Sequence, residues 1–278
     1  MTFQELINNE GVAEWIRTLE HQTLGPIFKP WFAHLEIWHI VSLFMIGGTL
    51  LLTNLRLLGV GLTSEPPSVI EKNTRLWLNI GVFGVLASGV LIGFANAEKL
   101  YGSPAFTVKM VGLLAAIIFT YVVCLPTARN EGRAGPVARL GAVLAIAIWL
   151  AALWVFCTVV GLTPGIYLVI IAAAMMVWAV LKGRARWVYL IGLALLLIAH
   201  QIVTHFVVTP ETNYDGWVAA AKGFVIAEGI YVLGFAAYHV LGFRNELASG
   251  PFTRLVAFST FLVWVTVAAA GRWIAFAS

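Results

Sequence analysis

Charged side chains are scarce in this sequence. Aspartate, glutamate, lysine and arginine together make up 11% of the 278 residues, whereas 60% of the residues are hydrophobic. A typical soluble domain contains about 25% charged residues. This composition, with a mean hydropathy of +0.91, excludes a soluble globular domain and indicates a protein that spans a membrane several times. The formal net charge of +4 is too small to indicate nucleic-acid binding.

Cysteine and the usual catalytic motifs are scarce or missing as well. The two cysteines, Cys124 and Cys157, both lie in apolar runs, so the sequence has neither a disulfide framework nor a thiolate metal motif. It contains no nucleophile–base triad, no phosphate-binding loop and no zinc-hydrolase motif. We therefore expect an electron-transfer or anchor subunit rather than a stand-alone enzyme.

Long apolar runs are abundant instead. A helix that crosses a bilayer needs about 20 apolar residues, and the alternating pattern of a membrane β-barrel is absent. We predict an all-α fold, a polytopic membrane bundle of about eight transmembrane helices, preceded by an amphipathic segment at residues 1–30. The predicted spans cover residues 31–58, 74–95, 105–127, 137–160, 165–182, 186–208, 217–242 and 252–275.

Basic residues are divided unevenly between the two ends of these spans. Loops rich in lysine and arginine normally stay in the cytoplasm. The N-terminal side carries only Arg17, Lys29, Lys99 and Arg272, and the opposite side carries most of the others. We therefore predict a multi-pass protein of the bacterial inner membrane, in contact with membrane lipid, with both termini in the periplasm.

The second half of the chain echoes the first. Tyr101 and Lys109 recur as Tyr214 and Lys222, 113 residues later. An Arg-Leu pair that begins at Arg139 recurs 115 residues later, again followed by a tryptophan at the same spacing. These offsets indicate a duplicated four-helix unit whose halves have parallel orientation. The predicted units are residues 31–160 and 165–278.

Imidazole and carboxyl groups occupy the entrance of the first span. His34, Glu36 and His39 lie close together there, and His200 and His205 repeat the histidine spacing at the end of the sixth span. Ionisable groups are costly inside a membrane and usually have a function. Because successive spans run in opposite directions, both segments lie on the N-terminal side of the membrane.

These four histidines form two layers of equal depth. At 1.5 Å per residue, His39 and His200 lie roughly 12 Å below the surface, whereas His34 and His205 lie roughly 5 Å below it. Two side chains five residues apart on a helix point about 140° away from each other, so they do not bind one ion together. This spacing instead suits a flat cofactor that receives one imidazole from each of two helices. We predict that His39 and His200 ligate the iron of a b-type haem. The outer pair would serve a second haem or the propionates, and copper is the alternative cofactor.

Further ionisable groups lie near these layers. Lys109 and Lys222 each stand about one turn inside their spans, where they would pair with haem propionates or extend to the interface. Glu36 is a candidate to orient a ligand histidine or to contact a proton path or quinone, and a solvated interfacial acid is the alternative. Glu228, mid-membrane in the seventh span, indicates a proton path, a quinone contact or a carboxyl bonded within the bundle. His239 stands alone and is expected to be structural.

A resemblance covers about the first 130 residues. The segment Leu35–Gly59 resembles a group of uncharacterised bacterial four-helix membrane proteins with the pattern E-x-x-H, a small-residue step and D-L-R-L-L-G. It is similar, more distantly, to copper-resistance-D and membrane protoporphyrinogen-oxidase-type helical proteins, in which an early histidine is associated with haem or metal. The matching residues here are Glu36-Ile37-Trp38-His39, Gly47-Gly48, Asn54-Leu55-Arg56-Leu57-Leu58-Gly59, Ser88-Gly89, Phe106 and Lys109.

The resemblance implies that His39, Arg56 and Lys109 are family positions. Asn54 stands where the family usually has an acid. The paired glycines Gly47 and Gly48 are expected to allow close helix packing.

Three functions are compatible with these features. The first is a b-type cytochrome that passes electrons between a periplasmic redox protein, or a larger membrane complex, and the quinone pool. The second is a histidine-lined copper transporter with Glu228 on the path. The third is a structural subunit of a membrane complex, in which the histidines are polar contacts between spans one and six. A red purified protein favours the first, bound copper without haem favours the second, and neither favours the third.

Overall fold

The computed structural model describes residues 10–238 and 250–276, with the backbone alone at 160–164. Every regular element in these ranges is helical, which confirms the all-α prediction. Seven helices are long and apolar enough to span a membrane, and the apolar helix at Tyr167–Val180 is shorter. The protein is thus a polytopic membrane bundle. His239 and the first nine residues lie outside the described ranges.

The described α-helices are α1 Glu10–Thr18, α2 Gly25–Phe28, α3 Phe32–Leu58, α4 Pro67–Ala95, α5 Ala97–Tyr101, α6 Pro104–Ile118, α7 Leu125–Arg129, α8 Pro136–Val155, α9 Tyr167–Val180, α10 Gly183–Ile202, α11 Tyr214–Phe235 and α12 Pro251–Trp273. A 3₁₀ turn at Lys29–Trp31 leads into α3. Wider π-helical turns occupy Leu19–Thr23, Phe119–Cys124, Phe156–Ile166 and Val203–Val207.

The helix ends follow local signals in the sequence. Helices α4, α6, α8 and α12 each begin with a proline, whose missing N–H has no partner at that position in any case. Asn213 caps α11 by accepting a 2.9 Å hydrogen bond from the Gly216 N–H. Helix α3 ends at Gly59, whose φ of 79° lies in the left-handed region that favours glycine. These short connections alternate the direction of successive spans.

Helix α12 is the central helix of the bundle. It is the most buried of the long spans, and it packs against α3, α6 and α9. On one side α3 pairs with α4, and α6 packs on α8; on the other side α9 packs on α11, which packs on α10. The last span therefore connects helices from both predicted units. The duplication itself stays a prediction.

The ends of the long helices lie at two opposite faces of the bundle. The first face contains the start of α3, α6 and α11 and the end of α4, α10 and α12. The second face contains the end of α3 and the start of α4, α8 and α12. Between them, large apolar side chains such as Phe44, Trp154 and Phe206 are exposed on the outside of the bundle. Membrane-embedded helices place such side chains in contact with lipid.

Close packing of α3 against α4 depends on glycines in α4. A methyl group at Gly84 would lie 2.3 Å from the Ser42 Oγ, and one at Gly81 would lie 2.9 Å from the Ser42 carbonyl oxygen. A methyl group at Gly47 or Gly48 would meet nothing within 4 Å. The expectation that Gly47 and Gly48 serve close packing is therefore wrong, because their side of α3 faces open space.

Candidate functional site

His39 lies in a buried polar cluster between α3, α4 and α6, which we call the His39 cluster (His39, Ser88 and Lys109). The His39 Nδ1 is 2.9 Å from the Ser88 Oγ, and the Nε2 is 3.3 Å from the Lys109 Nζ. The Ser88 hydroxyl donates to the Gly84 carbonyl at 2.5 Å, so it accepts from the His39 ring. This pattern assigns the proton of a neutral imidazole to Nδ1 and leaves the lone pair on Nε2, facing the lysine.

Glycines make room for this cluster. A methyl group at Gly89 of α4 would lie 3.3 Å from the His39 Cε1, and one at Gly271 of α12 would lie 3.5 Å from the Lys109 Nζ. The imidazole and the lysine can therefore pack directly against neighbouring backbones. The sequence analysis placed Lys109 near the histidine layers, and the structure brings it into contact with His39.

His200 lies in a second buried cluster between α9, α10 and α11, the His200 cluster (His200, Glu228, Tyr167 and Phe224). The His200 Nδ1 is 2.9 Å from the Glu228 Oε1. The Phe224 ring stacks on the imidazole with centroids 5.0 Å apart and an angle of 5°, and the Tyr167 ring meets it edge-on at 6.4 Å. The Tyr167 hydroxyl also interacts with the Glu228 carboxyl, both electrostatically and through a side-chain hydrogen bond. Within the described residues, the buried Glu228 Oε2 has no hydrogen-bond partner.

An apolar cavity of about 300 Å³ adjoins Glu228. This volume lies at the lower end of the range for small-molecule pockets, which combine apolar walls with a few polar groups. The hydroxyl of Tyr189 in its wall is engaged, because it donates to the Ala174 carbonyl at 3.1 Å. The carboxyl of Glu228 and the hydroxyl of Tyr167 are the remaining ionisable groups in the described wall. The apolar wall of the cavity therefore includes one carboxyl group, that of Glu228, which is hydrogen-bonded to His200.

The other predicted site residues lie on the surface. His34, Glu36, His205 and Lys222 are all exposed. In the described part of the chain, none of them contributes to the His39 cluster or the His200 cluster. Lys222 therefore differs from Lys109, its counterpart in the predicted repeat, which is partly buried against an imidazole.

The two deep histidines belong to different parts of the bundle. Helix α3, which carries His39, packs mainly on α4 and α12, whereas α10, which carries His200, packs mainly on α11 and α9. The expected contact between spans one and six is not among the main contacts of the described helices. Equal depth in the membrane does not determine lateral position, which is why this juxtaposition could not be obtained from the spacing. Haem ligation itself stays a prediction.

The described residues contain one group of three metal-ligating side chains, Glu20, His21 and Glu98 at the first face. Each carboxylate already faces a cation. Arg17 binds Glu98 at 3.1 Å, Lys29 binds Glu20 at 3.0 Å, and His21 lies 3.4 Å from Glu98. The group is thus an ion-pair network that holds α1 and the turn after it against α5. None of the predicted ligand histidines belongs to it, and copper at those histidines stays a prediction.

The ion pairs at Glu98 predict that docking of α1 depends on pH. Hydrogen bonds from Arg17 and then from His21 hold the pKa of the Glu98 carboxyl below its ordinary value of 4.5. A carboxyl with a lowered pKa stabilises the docked state above that ordinary value, and the stabilisation is lost as the pH falls through the lowered value. We expect a spin-label distance between α1 and α5 to stay constant from about pH 7 to pH 5 and to lengthen at lower pH.

The control for this experiment is a glutamate of α1 that takes no part in the ion pairs. Glu98→Gln is expected to lengthen the distance at neutral pH, whereas Glu14→Gln, which changes an exposed glutamate of α1, is expected to leave it unchanged. A distance that does not respond to acid or to Glu98→Gln would show that other contacts dock α1.

The sequence analysis missed a buried carboxylate at the second face. Glu71 is fully buried and accepts hydrogen bonds from Arg75 at 2.7 and 2.5 Å and from Arg129 at 3.0 and 2.9 Å. The spacing of Glu71 and Arg75, four residues apart on one helix, is the signal that would have indicated half of this network. The contribution of Arg129 required the fold.

Comparison with known families identifies the first half of the chain. The model of the Family of unknown function DUF6644 matches residues 13–162. This segment contains the His39 cluster and the Glu71 network, whereas the His200 cluster lies beyond it. No curated protein and no solved structure gives a match. Because the matched segment covers more than half of the 278 residues, the protein belongs to the family of unknown function DUF6644.

Proposed function

We propose that this protein transfers electrons and protons within the bacterial inner membrane, and that its His200 cluster binds the head group of a lipophilic quinone or quinol. The observation that carries the proposal is Glu228, a residue of the apolar cavity wall whose buried Oε2 has no hydrogen-bond partner among the described residues. Leaving a buried acceptor unpaired costs about 1–3 kcal/mol. The hydroxyl of a quinol is a donor carried on a flat, apolar ring, and it would offset that cost.

The chemistry of the cluster suits a quinol. Oxidation of a quinol releases two electrons and two protons. Glu228 can accept the first hydroxyl proton at Oε2 while the His200 Nδ1–H holds Oε1, which orients the carboxylate before transfer. The same carboxylate would accept the second proton after it has released the first to water at the first face. The electrons would leave to a one-electron redox group and then to a periplasmic redox protein or a larger complex at the first face. The excess of basic residues at the second face supports this orientation.

For that redox group we propose haem b, with His39 and His200 as candidate ligands. A ligating histidine is normally oriented by a hydrogen bond at its other nitrogen. Both residues meet this condition, because Ser88 and Glu228 occupy their Nδ1 atoms. Each imidazole would offer Nε2 to a separate iron, since the two lie in different clusters. At His39, Lys109 would have to move away from Nε2.

Quinol binding is tested by calorimetry on the purified full-length protein with a short-chain quinol. We expect Glu228→Gln to weaken binding by about 10-fold or more, because a hydrogen bond to a charged group is worth roughly 1.5–3 kcal/mol. Leu197→Trp, which fills the cavity wall, is expected to abolish binding. The matched control is Glu36→Gln, which changes an exposed glutamate. Unchanged affinity in Glu228→Gln would contradict the proposal.

Haem is tested by the dithionite-reduced minus air-oxidised visible spectrum of the same preparation. We expect sharp reduced α and Soret bands that weaken in His39→Ala and His200→Ala and persist in His34→Ala. If the folded protein binds quinol but gives a featureless spectrum, the haem proposal is wrong and the proposed quinone site remains. A featureless spectrum without quinol binding would favour the structural subunit, unless metal analysis finds copper.

A further inference from the structure

Arg254, on the first turn of α12, is a buried guanidinium without a counter-ion among the described residues. It is 1% exposed, and its Nε and Nη1 atoms have no hydrogen-bond partner. Arginine keeps its charge in proteins, so it cannot become neutral to relieve this burial. An uncompensated buried charge is strongly destabilising. A bound anion would supply both the missing charge and the missing hydrogen-bond acceptors.

Two other buried side chains at the second face each have one atom without a hydrogen-bond partner among the described residues. The Asn54 Nδ2 in the last turn of α3 and the Thr127 Oγ1 in α7 are fully buried and unpaired. Hydrogen bonds link the segments that carry these two residues. The thiol of Cys124, in the turn before α7, donates to the Asn54 Oδ1 of α3 at 3.3 Å. The N–H of Gly132, in the loop after α7, donates to the Thr127 carbonyl at 2.8 Å. The Thr253 hydroxyl, beside the unpaired guanidinium in sequence, donates to the Gly132 carbonyl. The unpaired groups therefore lie on packed elements at one end of the bundle.

The described carboxylates at this face are used elsewhere or exposed. Glu71 is saturated by Arg75 and Arg129. Glu65 and Glu131 are exposed. Within residues 10–238 and 250–276, no hydrogen bond or ion pair joins a carboxylate to the buried guanidinium.

A polar cavity of about 570 Å³ opens at the same face. Its described wall includes Arg56 and Arg133, which balance the charges of Glu65 and Glu131, and it includes Thr253. Arg254 follows Thr253 directly on the first turn of α12, but its own side chain is not among the described residues of the cavity wall. An anion that enters the cavity therefore reaches the turn of α12 that carries the buried guanidinium.

We propose that Arg254, together with Asn54 and Thr127, binds a phosphate group at the second face. A guanidinium binds two phosphate oxygens through parallel hydrogen bonds. The amide of Asn54 and the hydroxyl of Thr127 are further donors for the remaining oxygens. The phosphate group belongs either to an anionic phospholipid or to free phosphate, since both present the same oxyanion. This site is independent of the proposed quinone site.

The test is thermal unfolding of the delipidated full-length protein in detergent. Inorganic phosphate and short-chain phosphatidylglycerol are each added, with sodium chloride at matched ionic strength as reference. Near saturation we expect the apparent melting temperature to rise by roughly 4 °C or more. A rise with inorganic phosphate identifies free phosphate as a ligand, and a rise with phosphatidylglycerol alone identifies the lipid head group.

Variants assign the effect to the site. Arg254→Met is expected to lose the phosphate-dependent rise and to melt higher than the wild-type protein without ligand, because it removes an uncompensated charge. Thr127→Val, a milder change, is expected to reduce the rise. Arg139→Met removes an exposed arginine at the same face and is expected to keep it.

Three results would overturn the proposal. The first is a wild-type melting temperature that neither phosphate source changes. The second is a rise of equal size in Arg254→Met. The third is a rise that occurs only in Glu246→Gln, which would show that Glu246, outside the described residues, is the counter-ion of Arg254.

Discussion

Loss of both arginines that bind Glu71 is expected to destabilise the protein by roughly 3–5 kcal/mol, the cost of leaving a buried charge unpaired. Glu71 is fully buried, whereas the side chains of Arg75 and Arg129 are 41% and 46% exposed. In Arg75→Met/Arg129→Met the carboxylate would keep its burial and lose both partners. The measurement is the free energy of unfolding from thermal or denaturant melts in detergent.

Because Glu71 is buried and its two arginines are partly exposed, a third substitution is expected to restore the stability of the double variant. Adding Glu71→Gln to the double variant removes the stranded charge and is expected to restore most of the lost stability. Glu71→Gln alone is expected to cost about 1 kcal/mol, because the two arginines can reach water and surface ion pairs contribute little. Arg139→Met, an exposed arginine at the same face, serves as the control and should change stability by less than about 0.5 kcal/mol. If the double variant were as stable as that control, the Glu71 network would not hold the second face together.

Gly84→Leu is expected to separate α3 from α4. A single carbon added at Gly84 would already lie 2.3 Å from the Ser42 Oγ and 3.2 Å from the Trp38 Nε1. Overpacking of a close contact costs typically 1–3 kcal/mol and sometimes more. Gly84 also provides the carbonyl that accepts from Ser88. We therefore expect a lower melting temperature and a disturbed environment of His39.

Gly48→Leu is the matched control for this change. It introduces the same side chain on the partner helix α3, at a position where an added carbon meets nothing within 4 Å. We expect its melting temperature to stay close to that of the wild-type protein. The environment of His39 is followed by the NMR signals of its ring in labelled protein. Equal effects of the two substitutions would show that the interface between α3 and α4 adapts to bulk.

The candidate site was partly accessible from the sequence. His39, His200 and Glu228 were identified because polar groups in apolar spans are costly and therefore conspicuous. The partners of these residues were harder to identify. Ser88 and Tyr167 belong to residue types that are common in membrane helices, so their presence in an apolar span does not indicate a site. Arg254 begins the second copy of the repeated Arg-Leu pair, but its burial without a counter-ion among the described residues is a property of the packed bundle.

The sequence by itself determined the class of the protein and the approximate limits of its long helices, and it predicted a depth for each polar residue. These properties follow from hydropathy along one axis, the membrane normal. Only the tertiary structure decided which helices are neighbours. Lateral packing depends on local shape, such as the close approach at Gly84, and on polar contacts between distant segments, such as Lys109 with His39. For that reason His39 and His200 have the same predicted depth but belong to separate clusters.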